Sequence, residues 1–130
     1  MNEKAEALKA RTKQFALDVL ALVETLPRDG PAVAIGRQLT ASGTSVGANY
    51  RGACRSRSKA EFAARIGVAL EEADESAFWL ELIDERRYGP QSSAPLMKHL
   101  RAEADELSAI LAASSITARE SLARTRQGSI

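Results

Sequence analysis

Basic side chains are concentrated between Arg51 and Arg65, where they could recognise phosphate groups. The stretch holds five basic residues and a single acid, Glu61. Lysine and arginine form charge-assisted hydrogen bonds with phosphate oxygens, so one interpretation of the cluster is salt-sensitive, electrostatic binding of nucleic acid. The alternative is a solvated surface of mixed charge, which is the usual meaning of a charge run. Further cations lie near the N-terminus. The candidate phosphate contacts are Arg51, Arg55, Arg57, Lys59, Arg65, Lys9, Arg11 and Lys13.

Glycines accompany this cluster in the segment SGTSVGANYRGACRSRSKAEF, residues 42–62, and suggest a phosphate-binding loop as one interpretation. A P-loop requires the pattern G-x-x-x-x-G-K-[ST] after a strand. Here Gly43 and Gly47 are separated by three residues, and no Lys-Ser or Lys-Thr pair follows them. The dinucleotide-binding fingerprint requires a βαβ unit, and the sequence shows no alternating strand pattern. The glycines therefore do not indicate a nucleotide-binding loop.

The remaining reactive side chains form no familiar catalytic or metal-binding pattern. A di-iron bundle requires Glu-x-x-His pairs, but the single histidine, His99, has no glutamate three residues before it. Cys54 lacks the partner histidine of an activated thiol nucleophile. Three acids (Glu71, Glu72, Glu75) could bind a metal ion without histidine, although a solvated acidic helix face explains them better. We expect no enzymatic activity, no catalytic residue, no metal site and no cofactor.

Composition favours one small helical domain. The 130 residues, 45% of them hydrophobic and 27% charged, are enough for a buried core. Aromatic residues make up only 5%, and alanine and leucine dominate, which favours helices over sheets. The charged N-terminus lacks the apolar core of a secretory leader, and no apolar run reaches the roughly 18–20 residues of a membrane span. We therefore expect a cytoplasmic protein without a membrane partner.

Apolar residues recur at helical spacing in four segments that are separated by short breaks. Proline and glycine mark the first and third breaks, and Ser58 with Glu61 predicts a capping box after the second. The predicted helices span residues 3–26, 31–53, 59–87 and 94–117, within a single domain of residues 1–118. A mobile basic tail is predicted at 119–130. Four helices joined by short turns predict an all-α, antiparallel up-down-up-down four-helix bundle.

Small residues in the second predicted helix require a packing reason, because each interior glycine costs about 1 kcal/mol relative to alanine. Gly43 and Gly47 share one face and would admit the close approach of another helix, from the same chain or from a second subunit. Phe78 and Trp79 are adjacent, so one is expected in the core and the other in a contact. The candidate packing or subunit-contact residues are Ser42, Gly43, Gly47, Asn49, Gly52 and Trp79.

A longer combination of features runs through residues 15–83. A small-residue helix leads to Asn49 and Gly52, a basic turn follows, and Phe62 then precedes a small and acidic helix at 69–75. Gln38-Leu39 lies upstream. This combination resembles the signature of the bacterial family of 23S rRNA-intervening-sequence proteins, although no single element is diagnostic.

The resemblance implies a four-helix bundle that assembles into a homopentameric barrel. Members that are accessory proteins of diversity-generating retroelements bind a reverse transcriptase and nucleic acid, which implies such partners here. For most members no molecular function is established. The family usually has an acid immediately before the glycine that ends helix two, whereas this chain has Arg51 before Gly52. Any ion pair that this acid makes in the family would have to differ here.

Charge is distributed unevenly along such a bundle. The turn between helices two and three lies at the same end as both termini, so the cations of all three segments would meet there. In contrast, residues 66–85 hold seven acids and no base. Aromatic residues are scarce near the turn, since only Tyr50 is close to it, so stacking of single-stranded bases is not indicated.

Two functions remain open from the sequence. The first is a non-enzymatic binding or assembly module whose basic end engages RNA or DNA, alone or with a protein partner such as a reverse transcriptase. The second is an oligomeric, purely protein-binding scaffold, in which Trp79 and the small-residue face make the contacts. In either case arginines and glutamates of neighbouring subunits could also pair with one another.

Overall fold

The chain forms four long α-helices in a computed structural model that describes residues 2–128. Short turns join consecutive helices, and a single turn of 3-10 helix, Gln91–Ser93, precedes the last of them. No strand occurs within the described residues. The all-α prediction is therefore confirmed. The helices are α1 (Glu3–Val23), α2 (Pro31–Cys54), α3 (Lys59–Glu85) and α4 (Ala94–Gly128).

Local side-chain chemistry starts three of these helices. The Oδ1 atom of Asn2 accepts the N–H of Lys4 at 2.8 Å and caps α1. Pro31 occupies the first position of α2, where its missing N–H costs nothing. Ser58 caps α3 by accepting the Glu61 N–H at 3.0 Å, as the capping box predicts. The carboxylate of Glu61 reaches back one residue further than predicted and accepts the N–H of Arg57 at 3.2 Å.

The last helix is longer than the sequence indicates. We predict an end at residue 117 and a mobile basic tail from 119, but α4 is helical to Gly128. The stretch from Arg119 to Gln127 contains neither proline nor glycine, and Leu122 continues the half-buried stripe after Ala118. The predicted helix end at residue 117 is therefore wrong, and residues 129–130 of the predicted tail lie outside the described residues.

One continuous core fills the space between the helices. Its largest fully buried side chains include Phe15 of α1, Leu39 of α2, Ile66 of α3 and Leu107 of α4. Helix α3 packs on both α2 and α4, while α1 packs mainly on α2 and less extensively on α4. Across residues 2–128, no helix is both long and apolar enough to cross a membrane.

Candidate nucleic-acid interface

The start of α1, the end of α2, the start of α3 and the second half of α4 meet at one end of the molecule, called here the basic end. Lys4 of α1, Cys54 of α2, Phe62 of α3 and Ser114 of α4 all line one cavity of about 660 Å³. At the same end, Nζ of Lys59 donates to Oγ1 of Thr125 in α4 at 2.9 Å. The predicted convergence of the α2–α3 turn with both terminal helices is therefore present.

Three of the candidate cations line one groove between α1 and α2, called here the three-cation groove. Lys13 lies on one wall, and Arg51 and Arg55, one turn apart, lie on the other. The groove has a volume of about 400 Å³, and all three cations are exposed. None of the acids in residues 2–128 lines the groove or pairs with these cations. Three uncompensated charges therefore share one concave surface. Its lining residues are Thr12, Lys13, Ala16, Thr44, Gly47, Ala48, Arg51 and Arg55.

Glycines bring the two walls of this groove together. A Cβ atom on Gly43 would lie 2.9 Å from both methyl carbons of Val19, and one on Gly47 would lie 3.2 Å from Oγ1 of Thr12. Since real Cβ atoms essentially never approach heavy atoms to less than 3.0 Å, Gly43 permits a backbone distance that alanine does not. Both glycines thus pack against α1 of the same chain, which is the first of the two predicted alternatives.

The other small residues of α2 contact different neighbours. The hydroxyl of Ser76 in α3 donates to the hydroxyl of Ser42 at 2.9 Å, so Ser42 links α2 to α3 inside the core. Nδ2 of Asn49 donates to the carbonyl of Ser45 at 2.9 Å within α2. A Cβ on Gly52 would lie 2.8 Å from Nη1 of Arg65, so the guanidinium of this candidate cation rests on the end of α2.

Two of the candidate cations are engaged by acids. Arg11 forms a bidentate pair with Glu103 of α4, with Nε and Nη2 donating at 2.8 and 2.7 Å, and Nη2 lies 3.4 Å from Glu106. These hydrogen bonds lower the pKa of Glu103 against the opposing effect of burial, and they raise the pKa of Arg11. Nζ of Lys9 lies 3.3 Å from Oε1 of Glu6. These carboxylates partly neutralise Arg11 and Lys9, so the two side chains should attract a phosphate less strongly than the cations of the three-cation groove do.

The last two candidate cations line a second concavity, called here the α3–α4 cleft. Arg57 and Lys59 stand on one side of this opening of about 730 Å³, and α4 forms the other side. The side chain of Arg57 has no hydrogen-bond or ion-pair partner in the described part of the chain, although its N–H is bonded to Glu61. The cleft is lined by Ser56, Arg57, Ser58, Lys59, Phe62, Ala113, Ser114, Thr117, Ala118 and Ser121.

The two adjacent aromatic residues of α3 do separate. Trp79 packs partly buried against the core, whereas the side chain of Phe78 is 52% exposed. Their rings make an edge contact with centroids 5.1 Å apart. The Nε1 atom of Trp79 is buried without a hydrogen-bond partner within residues 2–128. The exposed aromatic is thus Phe78, which the candidate set omits, although the helical stripe through Leu80 and Ile83 places it on the opposite face.

The remaining ionisable groups of the described residues show no metal-binding arrangement. Among residues 2–128, no group of three or more histidine, cysteine or acidic side chains is arranged to hold a metal ion. Burial raises the pKa of Glu72, and the neighbouring Glu75 and Glu71 add to this effect. Burial also raises the pKa of Tyr50 to about 12, with a contribution from its hydrogen bond with Cys54, so its phenol is neutral at physiological pH.

Comparison with known proteins identifies the family of this chain. The family model of the 23S rRNA-intervening sequence protein matches residues 6–113, which include most of α1, all of α2 and α3, and the first part of α4. The chain belongs to this family. The resemblance inferred from the residues around Gly43 and Gly52 is therefore confirmed.

A solved structure supports the assignment of this chain to the 23S rRNA-intervening sequence protein family. It is the crystal structure of a protein with unknown function from the S23 ribosomal protein family of Bacteroides thetaiotaomicron. The two chains align with a TM-score of 0.75 and 28% identity, over 86% of this chain and 97% of the other. A comparison with curated proteins gives no match.

The matched residues divide the candidate interface of this family member. The three-cation groove lies wholly within residues 6–113, whereas four residues of the α3–α4 cleft lie beyond them: Ser114, Thr117, Ala118 and Ser121. The groove is therefore built on the matched part of the fold, and one wall of the cleft extends past it.

Proposed function

We propose that this chain is a non-enzymatic, cytoplasmic binding module whose basic end engages the phosphates of nucleic acid. The observation that carries the proposal is the three-cation groove, in which Lys13, Arg51 and Arg55 line one surface with no acid among them in residues 2–128. Exposed cations without a carboxylate partner keep their full field for a polyanion. Arg51, which stands where the family usually has an acid, supplies one third of that charge.

The proposal includes assembly into a homopentamer. A closed ring presents the same groove five times around one axis. Each added subunit therefore enlarges the positive surface, while every subunit makes the same contacts with its neighbours. Light scattering on the purified protein checks this step, with a mass of five 14.0 kDa chains expected. A monomer would remove the repeated surface and leave one groove per particle.

A salt titration tests the binding itself. For a labelled DNA duplex, the logarithm of the binding constant falls against the logarithm of salt with a slope of about −0.9 per phosphate contact. Replacing Lys13, Arg51 and Arg55 together by glutamine is expected to flatten this slope by about 2–3 for each bound groove and to weaken binding at least about tenfold at low salt.

The matched control removes the same charge elsewhere. Arg28, Arg37 and Lys98 are exposed and lie outside the basic end, so their replacement by glutamine should change the slope far less. Absence of binding at low salt, or equal losses in the two triple variants, would overturn the proposal.

A protein-binding scaffold is the second candidate function. It is favoured by the exposed ring of Phe78 and by the buried Nε1 of Trp79, which has no acceptor in residues 2–128. A protein partner, including a reverse transcriptase, could cover Phe78 and leave the groove unused. Pull-down with and without nuclease separates the two functions, because partners of a scaffold remain bound after nuclease treatment, whereas partners bridged by nucleic acid are lost.

A further inference from the structure

The α3–α4 cleft differs in chemistry from the three-cation groove at the same end. Its volume of about 730 Å³ lies within the range of about 300–1,000 Å³ that is usual for small-molecule sites. The ring of Phe62, half-buried and packed against the core, forms part of its wall. Alanine and hydroxyl side chains, among them Ser114, Thr117 and Ser121, form much of the rest. The cleft thus offers one fixed aromatic face surrounded by groups that both donate and accept hydrogen bonds.

The mouth of this cleft is positively charged. Lys59 bridges it from the start of α3 to Thr125 near the end of α4, with Nζ and Oγ1 2.9 Å apart. Lys59 has no ion pair within residues 2–128, and its hydrogen-bond acceptor there is a neutral hydroxyl, so a phosphate oxygen would make a stronger, charge-assisted bond. Arg57 adds a second cation on the same side. The carboxylate of Glu61 opposes them from outside the lining, where it accepts the N–H of Arg57.

An apolar aromatic wall, hydroxyls and two cations at the rim match the parts of one nucleotide. Bases stack on aromatic side chains in proteins that bind single strands, and cations there follow the phosphates. A base within an intact duplex cannot enter a cleft of this kind without leaving its stack, which costs free energy. The cleft is therefore suited to a nucleotide that is already unpaired.

We propose that the α3–α4 cleft holds one unpaired nucleotide, with its base against Phe62 and its phosphate between Arg57 and Lys59. The basic end then binds nucleic acid at single-stranded ends in preference to uninterrupted duplex. This inference rests on the proposed binding of nucleic acid and names the form of nucleic acid that the same end selects. The sequence alone does not indicate stacking of single-stranded bases, because only Tyr50 lies near the basic turn. In the structure, Phe62, twelve positions after Tyr50, lies in the cleft wall and supplies an aromatic ring.

Fluorescence anisotropy with two DNA probes tests the preference. One probe is a blunt duplex, and the other is a shorter duplex with unpaired nucleotides at one end and the same number of phosphates. The overhang probe is expected to bind about tenfold more tightly, since one base adds stacking that the blunt duplex lacks.

Filling the cleft should remove this preference. Thr117→Met places a long side chain without a ring in the opening at an exposed position of α4, and Ala102→Met makes a similar addition at an exposed position of α4 outside the cleft. Thr117→Met is expected to bind both probes equally, and Ala102→Met to keep the tenfold difference. Phe62→Leu, which removes the ring but keeps an apolar side chain, should also reduce the difference, and circular dichroism shows whether each variant folds.

The outcomes separate the inference from the proposed function. Equal binding of both probes by the unmodified protein, or a preference that survives both Thr117→Met and Phe62→Leu, would overturn the cleft as a nucleotide site. Salt-sensitive binding of the blunt duplex would then still support the three-cation groove. A protein that binds neither probe at low salt would overturn both.

Discussion

Helix α1 is held to its two neighbours by different interactions. Against α2, it packs through close van der Waals contact, with Gly43 beneath Val19 and Gly47 beneath Thr12. Against α4, it adds ion pairs to its share of the common core, with Arg11 bonded to Glu103 at 2.7 and 2.8 Å. His99 of α4 also lies 3.5 Å from Asp18 of α1.

This difference decides which cations of α1 are free. An interface that is held by ion pairs uses its charges internally, whereas an interface that is held by backbone proximity leaves nearby charges unpaired. Arg11 and Lys13 are two residues apart, and helical geometry turns them to different sides of α1. Arg11 meets carboxylates on its side, and Lys13 meets Arg51 and Arg55 on the other. Gly43 and Gly47 let α1 and α2 pack closely without ion pairs, and in this way they indirectly leave the cations of the three-cation groove unpaired within residues 2–128.

The largest expected effect comes from disturbing the close α1–α2 contact. Gly43→Ala places a methyl group against the β-branched and fully buried Val19, so we expect a loss of about 2 kcal/mol in the free energy of unfolding. Gly67→Ala is the matched control, because a Cβ there has no neighbour within 4 Å. It should gain up to about 1 kcal/mol from helix propensity. Urea unfolding measures both, and equal stability changes would contradict a close contact at Gly43.

A pair of single substitutions tests the division between engaged and free cations. Arg11→Gln should lower the free energy of unfolding by about 1 kcal/mol, because it leaves the half-buried Glu103 without its donor, and partial exposure limits the loss. Its effect on binding of a DNA duplex should be small.

Arg51→Gln should show the opposite pattern. Its side chain is exposed and unpaired within residues 2–128, so stability should change by less than about 0.5 kcal/mol. Duplex binding should weaken several-fold, with a flatter salt dependence. If Arg11→Gln weakened duplex binding as much as Arg51→Gln does, the ion pair with Glu103 would not be keeping Arg11 from binding phosphate.

The charged side of α1 also predicts a pH dependence. Arg11 lowers the pKa of Glu103 in the folded state, so this carboxylate stabilises the fold fully above its unfolded pKa of about 4.3. The contribution is lost as the pH falls through the lowered folded pKa. Glu103→Gln should therefore lose less stability than the unmodified protein when the pH is reduced from 6 to 3, with a difference below about 1 kcal/mol.

Glu72 provides a control of opposite sign. Burial and two neighbouring acids raise its pKa, so its favourable contribution is present at low pH and is lost as the pH rises through the folded value. Glu72→Gln should relieve this cost at neutral pH. Urea unfolding across the pH range measures both variants, and parallel profiles for Glu103→Gln and the unmodified protein would contradict the coupling to Arg11.

Much of the fold follows from local sequence signals. Helical periodicity, the proline at the start of α2 and the Ser58 cap are each set by residues close in sequence, and all of them occur in the structure. The sequence pattern does not predict the helical state of residues 119–128, because Leu122 is the only large apolar residue in that segment and one residue does not establish a helical periodicity.

The candidate site depends on contacts that are remote in sequence. Arg11 pairs with Glu103, a residue 92 positions away, and no local feature of either residue distinguishes Arg11 from Lys13. The approach of Phe62 to α4 likewise depends on how α3 is rotated in the bundle. Sequence reasoning could therefore nominate the cations, but their partners required the packed structure.

The smallest expected effect concerns the single acid of the basic segment. Glu61 accepts the N–H of Arg57, so its carboxylate stands beside the cations of the cleft, as Glu103 stands beside Arg11. Glu61→Gln keeps an acceptor for the capping box and removes the negative charge. If an acid at this position reduces the charge available to phosphates, the variant should bind the overhang probe about two- to threefold more tightly at low salt. Because the effect is electrostatic, the gain should disappear at high salt, and a gain that persists there would indicate a change in shape rather than charge.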